Sequence, residues 1–203
     1  MKRQFCLSKK VKLIAGVDEV GCGSLVGSVV AASVILYPEI IQTQPQLIFG
    51  LSDSKVLNPK KRLNLYKNIQ EYSLYWSIGY ASSVEIDCLN ILQARLLAMK
   101  RSIYNLSVIP DLILIDGNYT PKFTNIFTQC FIKGDAKIPI ISAASIIAKI
   151  TRDQNMIELD DRYPQYGFAR NKGYPTNFHL QQLKLHGPTI YHRKSFAPIK
   201  YMI

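Results

Sequence analysis

The stretch Val11-Lys12-Leu13-Ile14-Ala15-Gly16-Val17-Asp18 continues into Glu19-Val20-Gly21-Cys22-Gly23, and a second apolar run follows from Ser28 to Leu36. Apolar and β-branched runs separated by a glycine-rich segment predict two strands and a turn. Because the connection is short, we expect the strands, Val11 to Asp18 and Ser28 to Leu36, to pair antiparallel. The hairpin thus predicts a sheet at the centre of the fold, with Asp18 and Glu19 where its first strand ends.

The rest of the chain alternates helices with strands. Asn58-Pro59 is a helix start, and Ser82-x-x-Glu85 has the pattern of a capping box. One apolar helix face is predicted from the spacing of Leu89, Leu92, Leu96, Met99 and Ile103. The other predicted elements are a helix to about Tyr72, strands Ser73–Ala81, Leu112–Ile115 and Phe127–Ile132, and helices from about Ile140 to Leu159 and Thr176 to His186. Alternating helices and strands favour crossovers, so we expect an α/β fold with a mixed five-stranded sheet flanked by helices.

Composition restricts the classes of protein to which this chain could belong. The 203 residues are 48% hydrophobic and carry a formal charge of +11, which fits one globular domain with an anionic partner. No apolar stretch is long and uninterrupted enough to span a bilayer, and we see no secretory signal. The cysteines are scattered without a C-x-x-C pair, which disfavours a zinc site and predicts a reduced, cytoplasmic setting; they are Cys6, Cys22, Cys88 and Cys130.

Four acidic residues stand beside glycine at predicted strand ends. They are Asp18 and Glu19, then Asp116 in Leu114-Ile115-Asp116-Gly117-Asn118, and Asp135 in Lys133-Gly134-Asp135. In a basic protein, converging carboxylates suit divalent metal held over a polyanion, since magnesium prefers oxygen ligands. Asp18 and Glu19 would point to opposite faces of a regular strand, so both can serve one site only where the strand ends or bulges. Any one acid alone is better explained as a solvated turn residue or helix cap, and Asp153 and Asp160-Asp161 as solvated or ion-paired.

The predicted helix after residue 140 carries a polar face. Ser142, Ser145, Lys149 and Arg152 are spaced three, four and three residues apart, which places two hydroxyls and two cations together. Such a face suits phosphate oxygens near a helix N-terminus; the alternative is a solvated polar stripe. On the other side we expect core isoleucines and close-packing alanines, namely Ile146, Ile147, Ile150, Ala143, Ala144 and Ala148.

A glycine- and proline-rich loop interleaves aromatic and cationic residues. It comprises Tyr163-Pro164-Gln165-Tyr166-Gly167-Phe168 and Asn171-Lys172-Gly173-Tyr174-Pro175-Thr176. Such loops stack on bases or sugars and bind phosphates, although Tyr166 and Phe168 could equally cover a helix junction. Thr176 is expected to cap the last helix. The histidines lack zinc-ligand spacing and are interpreted as surface or capping residues; they are His179, His186 and His192. No base is assigned to Cys22, which disfavours a cysteine enzyme.

From about Ile14 to Lys200 the chain resembles the ribonuclease HII family, the bacterial type 2 ribonucleases H. Any one shared block is weakly specific, but their order and completeness are highly specific. The blocks are Gly16-Val17-Asp18-Glu19-Val20-Gly21, Asp53-Ser54-Lys55, Ile115-Asp116-Gly117, Lys133-Gly134-Asp135, Ser142-Ala143-Ala144-Ser145-Ile146 with Ala148-Lys149, Lys172-Gly173-Tyr174, and His192-Arg193-x-Ser195-Phe196.

This resemblance implies a ribonuclease H-like fold in a single catalytic domain over residues 1–203. It implies a basic N-terminal arm to about residue 12 and a substrate-contacting loop and helix from about 160 to 203. The implied activity is cleavage of the RNA strand of RNA–DNA hybrids and nicking on the 5′ side of a ribonucleotide in duplex DNA. The implied products carry 5′-phosphate and 3′-hydroxyl ends. The implied partners are those nucleic acids and no membrane, and we expect a monomer.

By position in the family pattern, the metal-binding catalytic acids are Asp18, Glu19, Asp116 and Asp135, with two Mg²⁺ or Mn²⁺ ions as cofactor. Tyr174 matches the tyrosine that packs on the deoxyribose after the ribonucleotide. The turn of Gly21, Cys22 and Gly23 matches the segment that recognises the 2′-hydroxyl, largely through its backbone. The remaining matched substrate-binding positions, most of them expected at backbone phosphates, are Lys55, Ser142, Ser145, Lys149 and Lys172.

One departure and two alternatives remain. The family usually has arginine where this chain has Cys22, and the lost guanidinium would cost about 1–3 kcal/mol of phosphate affinity. A related nuclease on the same fold that cuts DNA without ribonucleotides is one alternative, since fold alone does not fix substrate. A catalytically silent hybrid-binding protein is the other, and the presence of all four acids argues against it.

Overall fold

The structure is a computed structural model that describes residues 13–37 and 59–203. Three features of the sequence lie outside the described residues: the N-terminal arm, the Asn58 helix cap and Lys55 with its neighbours Asp53 and Ser54. Within the described ranges, no helix is long and apolar enough to cross a membrane.

The centre of the molecule is the expected mixed five-stranded sheet, in the order β3-β2-β1-β4-β5. Its strands are β1 Ile14–Val20, β2 Val29–Leu36, β3 Ser73–Ala81, β4 Leu112–Asp116 and β5 Phe127–Phe131. Strands β1 and β2 pair antiparallel, as the short turn between them predicts, and β2 also pairs antiparallel with β3. Strands β4 and β5 run parallel to β1. The carboxyl ends of β1, β4 and β5 therefore lie at the same edge of the sheet.

Helices cover both faces of this sheet. They are α1 Pro59–Tyr72, α2 Ser83–Leu89, α3 Ile91–Tyr104, α4 Pro139–Arg162, α5 Phe168–Asn171 and α6 Asn177–His186. Short 3₁₀ turns occupy Gly134–Ala136, Pro164–Tyr166 and Ile199–Tyr201. The predicted capping box at Ser82 and the predicted Thr176 cap are both present.

The expected apolar face after Ser82 is wrong in one respect, because the segment is two helices. Asn90 has φ 70°, which ends α2, and its side-chain oxygen accepts the N–H groups of Leu92 and Gln93 to start α3. Leu89, predicted on the apolar face, is 41% exposed. The buried residues of α3 are on average smaller than the leucine-rich face that the spacing predicted. They are Ala94, Ala98, Met99, Ser102 and Ile103. Small side chains let α3 approach β3 so closely that a Cβ on Gly79 would collide with the Ala98 carbonyl.

Helix α4 lies directly on β1. Its predicted alanines are fully buried, as are Ile146 and Ile147, and Ile150 packs at the border of the same cluster. A Cβ on Gly16 would overlap the backbone oxygen of Ile140, so glycine at this point of β1 permits the contact. Since side chains alternate along a strand, Asp18 faces α4 and Glu19 faces α3 on the opposite side.

A separate hydrophobic cluster lies beyond the sheet, where α4 meets the loop of residues 163–176. Tyr166 stacks on Phe168 with ring centroids 5.2 Å apart, and both are buried. These two aromatics therefore cover a helix junction, the second of the interpretations that the sequence left open. His186 is exposed, as expected, but the same expectation is wrong for His179 and His192, which are buried in this cluster.

The two buried histidines form a chain of hydrogen bonds that ends at the backbone of Tyr174. Thr189 N–H donates to Nδ1 of His192 at 2.8 Å, and the two Nε2 atoms lie 3.2 Å apart. Nδ1 of His179 lies 2.9 Å from the Tyr174 carbonyl and donates to it. Each ring therefore needs one unprotonated nitrogen. Burial lowers the pKa of His179, and burial with the neighbouring His179 lowers the pKa of His192 to about 4.

Arg152 does not lie on an open phosphate-binding face, as its spacing with Ser145 and Lys149 suggested. Its side chain is fully buried. Its guanidinium donates to the carbonyl of Lys172 at 2.9 Å, to Oγ of Ser24 at 2.7 Å and to the carbonyl of Val26 at 3.2 Å. A Cβ on Gly21, which has φ 96°, would collide with Nε of Arg152. Arg152 thus fastens helix α4 both to the segment after β1 and to the loop that carries Tyr174.

A second buried guanidinium holds the turn itself. Arg193 donates to the carbonyls of Gly21 at 2.8 Å, Cys22 at 3.0 Å and Gly27 at 3.0 Å. The Gly21-Cys22-Gly23 turn is therefore oriented by arginines from two distant parts of the chain.

We expect Arg152→Met to lower the free energy of unfolding by about 2–4 kcal/mol, because carbonyls that it now satisfies would be buried without a donor. Urea unfolding measures the change. Arg162→Met is the matched control, since Arg162 is exposed on the same helix and its hydrogen bond to Tyr191 is long, at 3.4 Å. Equal losses in the two variants would contradict the anchoring role.

The histidine chain predicts a pH dependence of stability. The folded state holds neutral rings, whereas an unfolded histidine titrates near pH 6.5, so the contribution is complete above that pH and is lost as the pH falls towards 4. The loss for His192 amounts to up to about 3 kcal/mol. The free energy of unfolding, measured with denaturant at several pH values between 4.5 and 7, should change less with pH for His192→Gln than for the unsubstituted chain. His186→Gln is the control for the substitution, and an unchanged slope in His192→Gln would refute the assignment.

Candidate active site

A cavity of about 430 Å³ opens at the sheet edge where β1 and β4 end. The sheet contributes three carboxylates, α4 contributes a hydroxyl and an amine, and the turn after β1 faces Tyr174 across the opening. The lining residues are Asp18, Glu19, Val20, Gly21, Cys22, Gly23, Arg62, Asp116, Ser145, Ile146, Lys149 and Tyr174.

Asp18 is the buried acid of the site, with 5% of its surface exposed. It accepts the N–H of Glu19 at 2.8 Å and the hydroxyl of Ser145. These bonds do not offset its surroundings: burial, then Glu19 and Asp116, raise the pKa of Asp18 well above its usual value. The ionised form is costly here, so the site favours a bound positive charge or a proton.

Glu19 approaches the same cavity from the other face of β1. Its Oε1 lies 3.3 Å from Nη1 of Arg95 and 3.6 Å from the thiol of Cys22. Its Oε2 is buried and has no hydrogen-bond partner among the described residues. Burial raises the pKa of Glu19, with Arg95 opposing the shift and Asp116 adding to it.

Strand β1 is regular through Glu19, without a bulge in its pairing with β2. The two neighbouring acids reach one cavity because the strand ends one residue later, at Val20, and the cavity lies beyond its end. Of the two possibilities that the sequence allowed, a bulge or a strand end, it is therefore the strand end that lets both acids reach one site.

Asp116 ends β4, beside β1 and parallel to it. Its Oδ1 accepts the N–H of Gly134 at 2.6 Å, a bond that ties β4 to the 3₁₀ turn after β5. Asp135 follows in that turn and is buried, with 6% exposure, but it does not line the cavity. The structure thus brings Asp18, Glu19 and Asp116 together and places Asp135 next to the amide that binds Asp116.

The donor chemistry of this cavity fits a hard divalent cation. The available ligands are carboxylate oxygens, one of them buried without a partner, and two of the acids have pKa values raised by burial and mutual repulsion. Within residues 13–37 and 59–203, however, no three His, Cys, Asp or Glu side chains already stand in a metal-binding arrangement. The carboxylates are close enough to repel one another, but they do not already form a set of metal ligands.

The predicted phosphate-binding residues divide into two groups. Ser145 and Lys149 line the cavity, and Lys149 also pairs with Asp153 at 2.7 Å, the ion pair that the sequence allowed for Asp153. Ser142 is buried and lies outside the lining. Lys172 is half-buried, burial lowers the pKa of its amine, and its carbonyl serves Arg152.

The thiol of Cys22 is a hydrogen-bond donor in this site. Burial, followed by the nearby Glu19, raises the pKa of Cys22 to about 12. The sulfur is therefore protonated at neutral pH, the form that can donate to Glu19. This agrees with the sequence-based view that the chain is not a cysteine enzyme.

Sequence reasoning did not name Arg62 or Arg95, and it missed the structural roles of Arg152 and Arg193. Arg62 lines the cavity from α1, Arg95 contacts Glu19 from α3, and Arg152 and Arg193 hold the turn. Arg95 offered a local signal, since it is a charged residue set between Ala94 and Leu96. The contacts of Arg152 with Ser24 and Val26, and those of Arg193 with the turn, join residues more than 120 positions apart in sequence.

Comparison with known proteins gives a consistent picture. The family model described as Ribonuclease HII matches residues 15–199. The chain is 70% identical to "Ribonuclease HII" of Blochmanniella pennsylvanica (strain BPEN) over 195 residues, which cover 96% of this chain and 87% of that protein.

Solved structures show the same fold. The crystal structure of the ribonuclease H2 from Pyrococcus horikoshii OT3 superposes with a TM-score of 0.78 at 26% identity, covering 94% of this chain and 97% of that one. The crystal structure of Bst-RNase HIII in complex with Mn²⁺ gives a TM-score of 0.68 at 17% identity, covering 93% of this chain and 68% of that one. Its low identity supports the fold alone.

The family match spans nearly the whole described chain, and it includes each of the cavity's carboxylates, the turn and Tyr174. On this evidence the chain belongs to the ribonuclease HII family.

Proposed function

We propose that this ribonuclease is an endonuclease that hydrolyses the RNA strand of RNA–DNA hybrids and nicks duplex DNA on the 5′ side of an embedded ribonucleotide. The observation that carries the proposal is the cavity at the end of β1 and β4. There, three carboxylates that repel one another share one cavity with a backbone turn held by Arg193 and with the half-buried Tyr174, in a protein of formal charge +11.

Mg²⁺ or Mn²⁺ is the proposed cofactor, with two ions in the active complex. Asp18, Glu19 and Asp116 would hold them, with Asp135 as the fourth acid that the family resemblance implies. Bound there, the ions would supply activation of water and stabilisation of the leaving oxygen in phosphodiester hydrolysis, which leaves 5′-phosphate and 3′-hydroxyl ends.

The chain's own residues position the substrate. Arg193 takes the carbonyls of Gly21 and Cys22, which fixes the orientation of the turn proposed to recognise the 2′-hydroxyl through its backbone. Tyr174 faces the turn, and a Cβ on Gly23 would lie 3.8 Å from its ring. We assign the Tyr174 ring to the deoxyribose that follows the ribonucleotide, where a 2′-hydroxyl would be disfavoured.

Phosphates on either side would be bound by side chains around the cavity. Ser145 and Lys149 stand on α4 beside Asp18, and Lys172 is two residues from Tyr174. Arg62 adds a cation from α1. These contacts would set affinity and register, while the turn and Tyr174 would set specificity.

One experiment separates this proposal from its competitors. Purified protein is incubated with a duplex carrying a single ribonucleotide, an RNA–DNA hybrid and an all-DNA duplex, each with and without Mg²⁺ or Mn²⁺. Metal-dependent cuts in the first two and none in the third support the proposal. Cleavage of the all-DNA duplex would indicate a nuclease of different specificity, and binding without cleavage a silent hybrid-binding protein.

We expect Asp116→Asn to abolish cleavage while hybrid binding stays within about threefold, because the cation site is lost and the basic surface remains. Gel-based cleavage and fluorescence anisotropy measure the two effects. Asp111→Asn is the matched control, since Asp111 lies just before the other end of β4, where it accepts the Leu13 N–H at 2.8 Å. Full activity in Asp116→Asn would refute the assignment of the acid.

Hybrid binding is expected to weaken steeply as salt rises, since a protein of charge +11 displaces counterions from each phosphate it contacts. Four to six phosphate contacts would weaken binding by roughly 10²–10³ between 50 and 200 mM salt. Anisotropy titrations of Asp116→Asn at several salt concentrations measure the slope without cleavage. A flat dependence would show that the positive charge does not form the docking surface.

A further inference from the structure

Arg95 forms an ion pair with Glu19, one of the carboxylates of the cavity. Its Nη1 lies 3.3 Å from Oε1 of Glu19, and the two side chains are only 21% and 12% exposed. A pair this sheltered is weakly screened by solvent, so its geometry governs where the carboxylate points.

The guanidinium is itself held from the other side. Its Cζ lies 5.8 Å from the ring centroid of Tyr119, a cation–π distance, and its Nη2 lies beside Gly117, which follows the end of β4. Arg95 is therefore placed between Glu19 and the segment that follows Asp116.

The two oxygens of Glu19 have different surroundings. Oε1 receives Arg95 and the thiol of Cys22, whereas Oε2 is buried without a partner among the described residues. A buried carboxylate oxygen without a partner is costly. Two donors on one side of the carboxylate thus leave its other side available for a ligand.

We infer that Arg95 is a positioning residue for Glu19, holding Oε1 so that Oε2 is presented as a ligand to a divalent cation. The inference rests on the proposed function, since it assigns the cation to the same cavity. It also bears on Cys22, where the family usually has arginine. In this chain the turn carries a short neutral side chain, and the guanidinium next to it comes from α3.

The opposing possibility has the opposite sign. If Arg95 acts only through its charge, it repels a nearby cation, and removing it should strengthen cation binding. If it acts by positioning, removing it frees the Glu19 side chain and weakens cation binding, in the range of about 10–100-fold seen for groups that orient metal ligands.

The experiment measures Mn²⁺ binding to the full chain without nucleic acid, by isothermal titration and by the electron paramagnetic resonance signal of free Mn²⁺. Arg95→Met is expected to weaken binding about tenfold, and Arg95→Lys, which keeps the charge and a donor, to recover most of it. Lys100→Met is the matched control, with the same loss of charge on the same helix but at a groove lined by Leu96 and Leu97. Tighter or unchanged binding in Arg95→Met overturns the inference.

A second variant keeps the test decisive should Arg95→Met fold poorly. Cys22→Ala removes the other donor to Oε1 without changing any formal charge, and a weakening of about two- to threefold is expected from the smaller contribution of a thiol hydrogen bond. In cleavage assays, both variants should raise the Mn²⁺ concentration that gives half-maximal rate more than they lower kcat at saturating Mn²⁺. Mn²⁺ affinity in Cys22→Ala equal to that of the unsubstituted chain, combined with a loss of kcat alone, overturns the inference.

The outcomes also distinguish the inference from the proposed function. If Asp116→Asn binds Mn²⁺ as well as the unsubstituted chain does, the cavity is not the cation site and the proposed function fails. If Asp116→Asn loses binding but Arg95→Met does not, the cavity holds the cation and only the role of Arg95 is wrong.

Discussion

Repulsion among buried carboxylates at the end of β1 and β4 is the constraint on which this structure depends. Asp18 and Glu19 enter the cavity from opposite faces of one strand, and Asp116 joins them from the parallel neighbour. Burial and mutual repulsion raise the pKa of both residues on β1. The fold supplies partial compensation through the Ser145 hydroxyl and Arg95, which leaves a site that gains stability by binding a cation.

Buried guanidinium groups solve a different problem, that of holding irregular backbone next to this site. Carbonyls of the turn after β1 and of the loop before α6 point inward to Arg152 and Arg193. Burial lowers the pKa of Arg193 to about 10, which still leaves it charged at neutral pH. A planar group with five donors can satisfy several carbonyls at once, which a lysine cannot do with the same geometry.

Much of the fold was predictable because it depends on local signals. Apolar runs bounded by glycine predicted the strands, and Ser82 and Thr176 marked helix starts that the structure confirms. The position of four acids beside glycine at predicted strand ends predicted that Asp18, Glu19, Asp116 and Asp135 would converge. The structure brings the first three to one cavity, and Asp135 is buried beside it without lining it. The break at Asn90 was missed because the apolar spacing continues across it, and only the backbone conformation of Asn90 separates the two helices.

The interior polar groups could not be predicted, because they are set by contacts between distant segments. Arg152 has the spacing of an exposed phosphate-binding residue with Ser145 and Lys149, yet its acceptors come from residues 24, 26 and 172. His179 and His192 have no ligand spacing, and their pairing becomes visible only when α6 packs against the C-terminal segment. In each case the local pattern describes a polar side chain correctly, but the fold decides whether its partner is water or protein.

Cys22 and Arg95 are best understood together. The turn already directs two of its carbonyls at Arg193, and Arg95 reaches Glu19 immediately beside it. A further guanidinium at residue 22 would stand close to both Arg95 and Arg193, and solvent would screen their mutual repulsion poorly in this sheltered space. A protonated thiol is small, donates to Glu19 and adds no charge. The cysteine therefore suits a site in which the positive charge next to Glu19 arrives from helix α3 instead of from the turn.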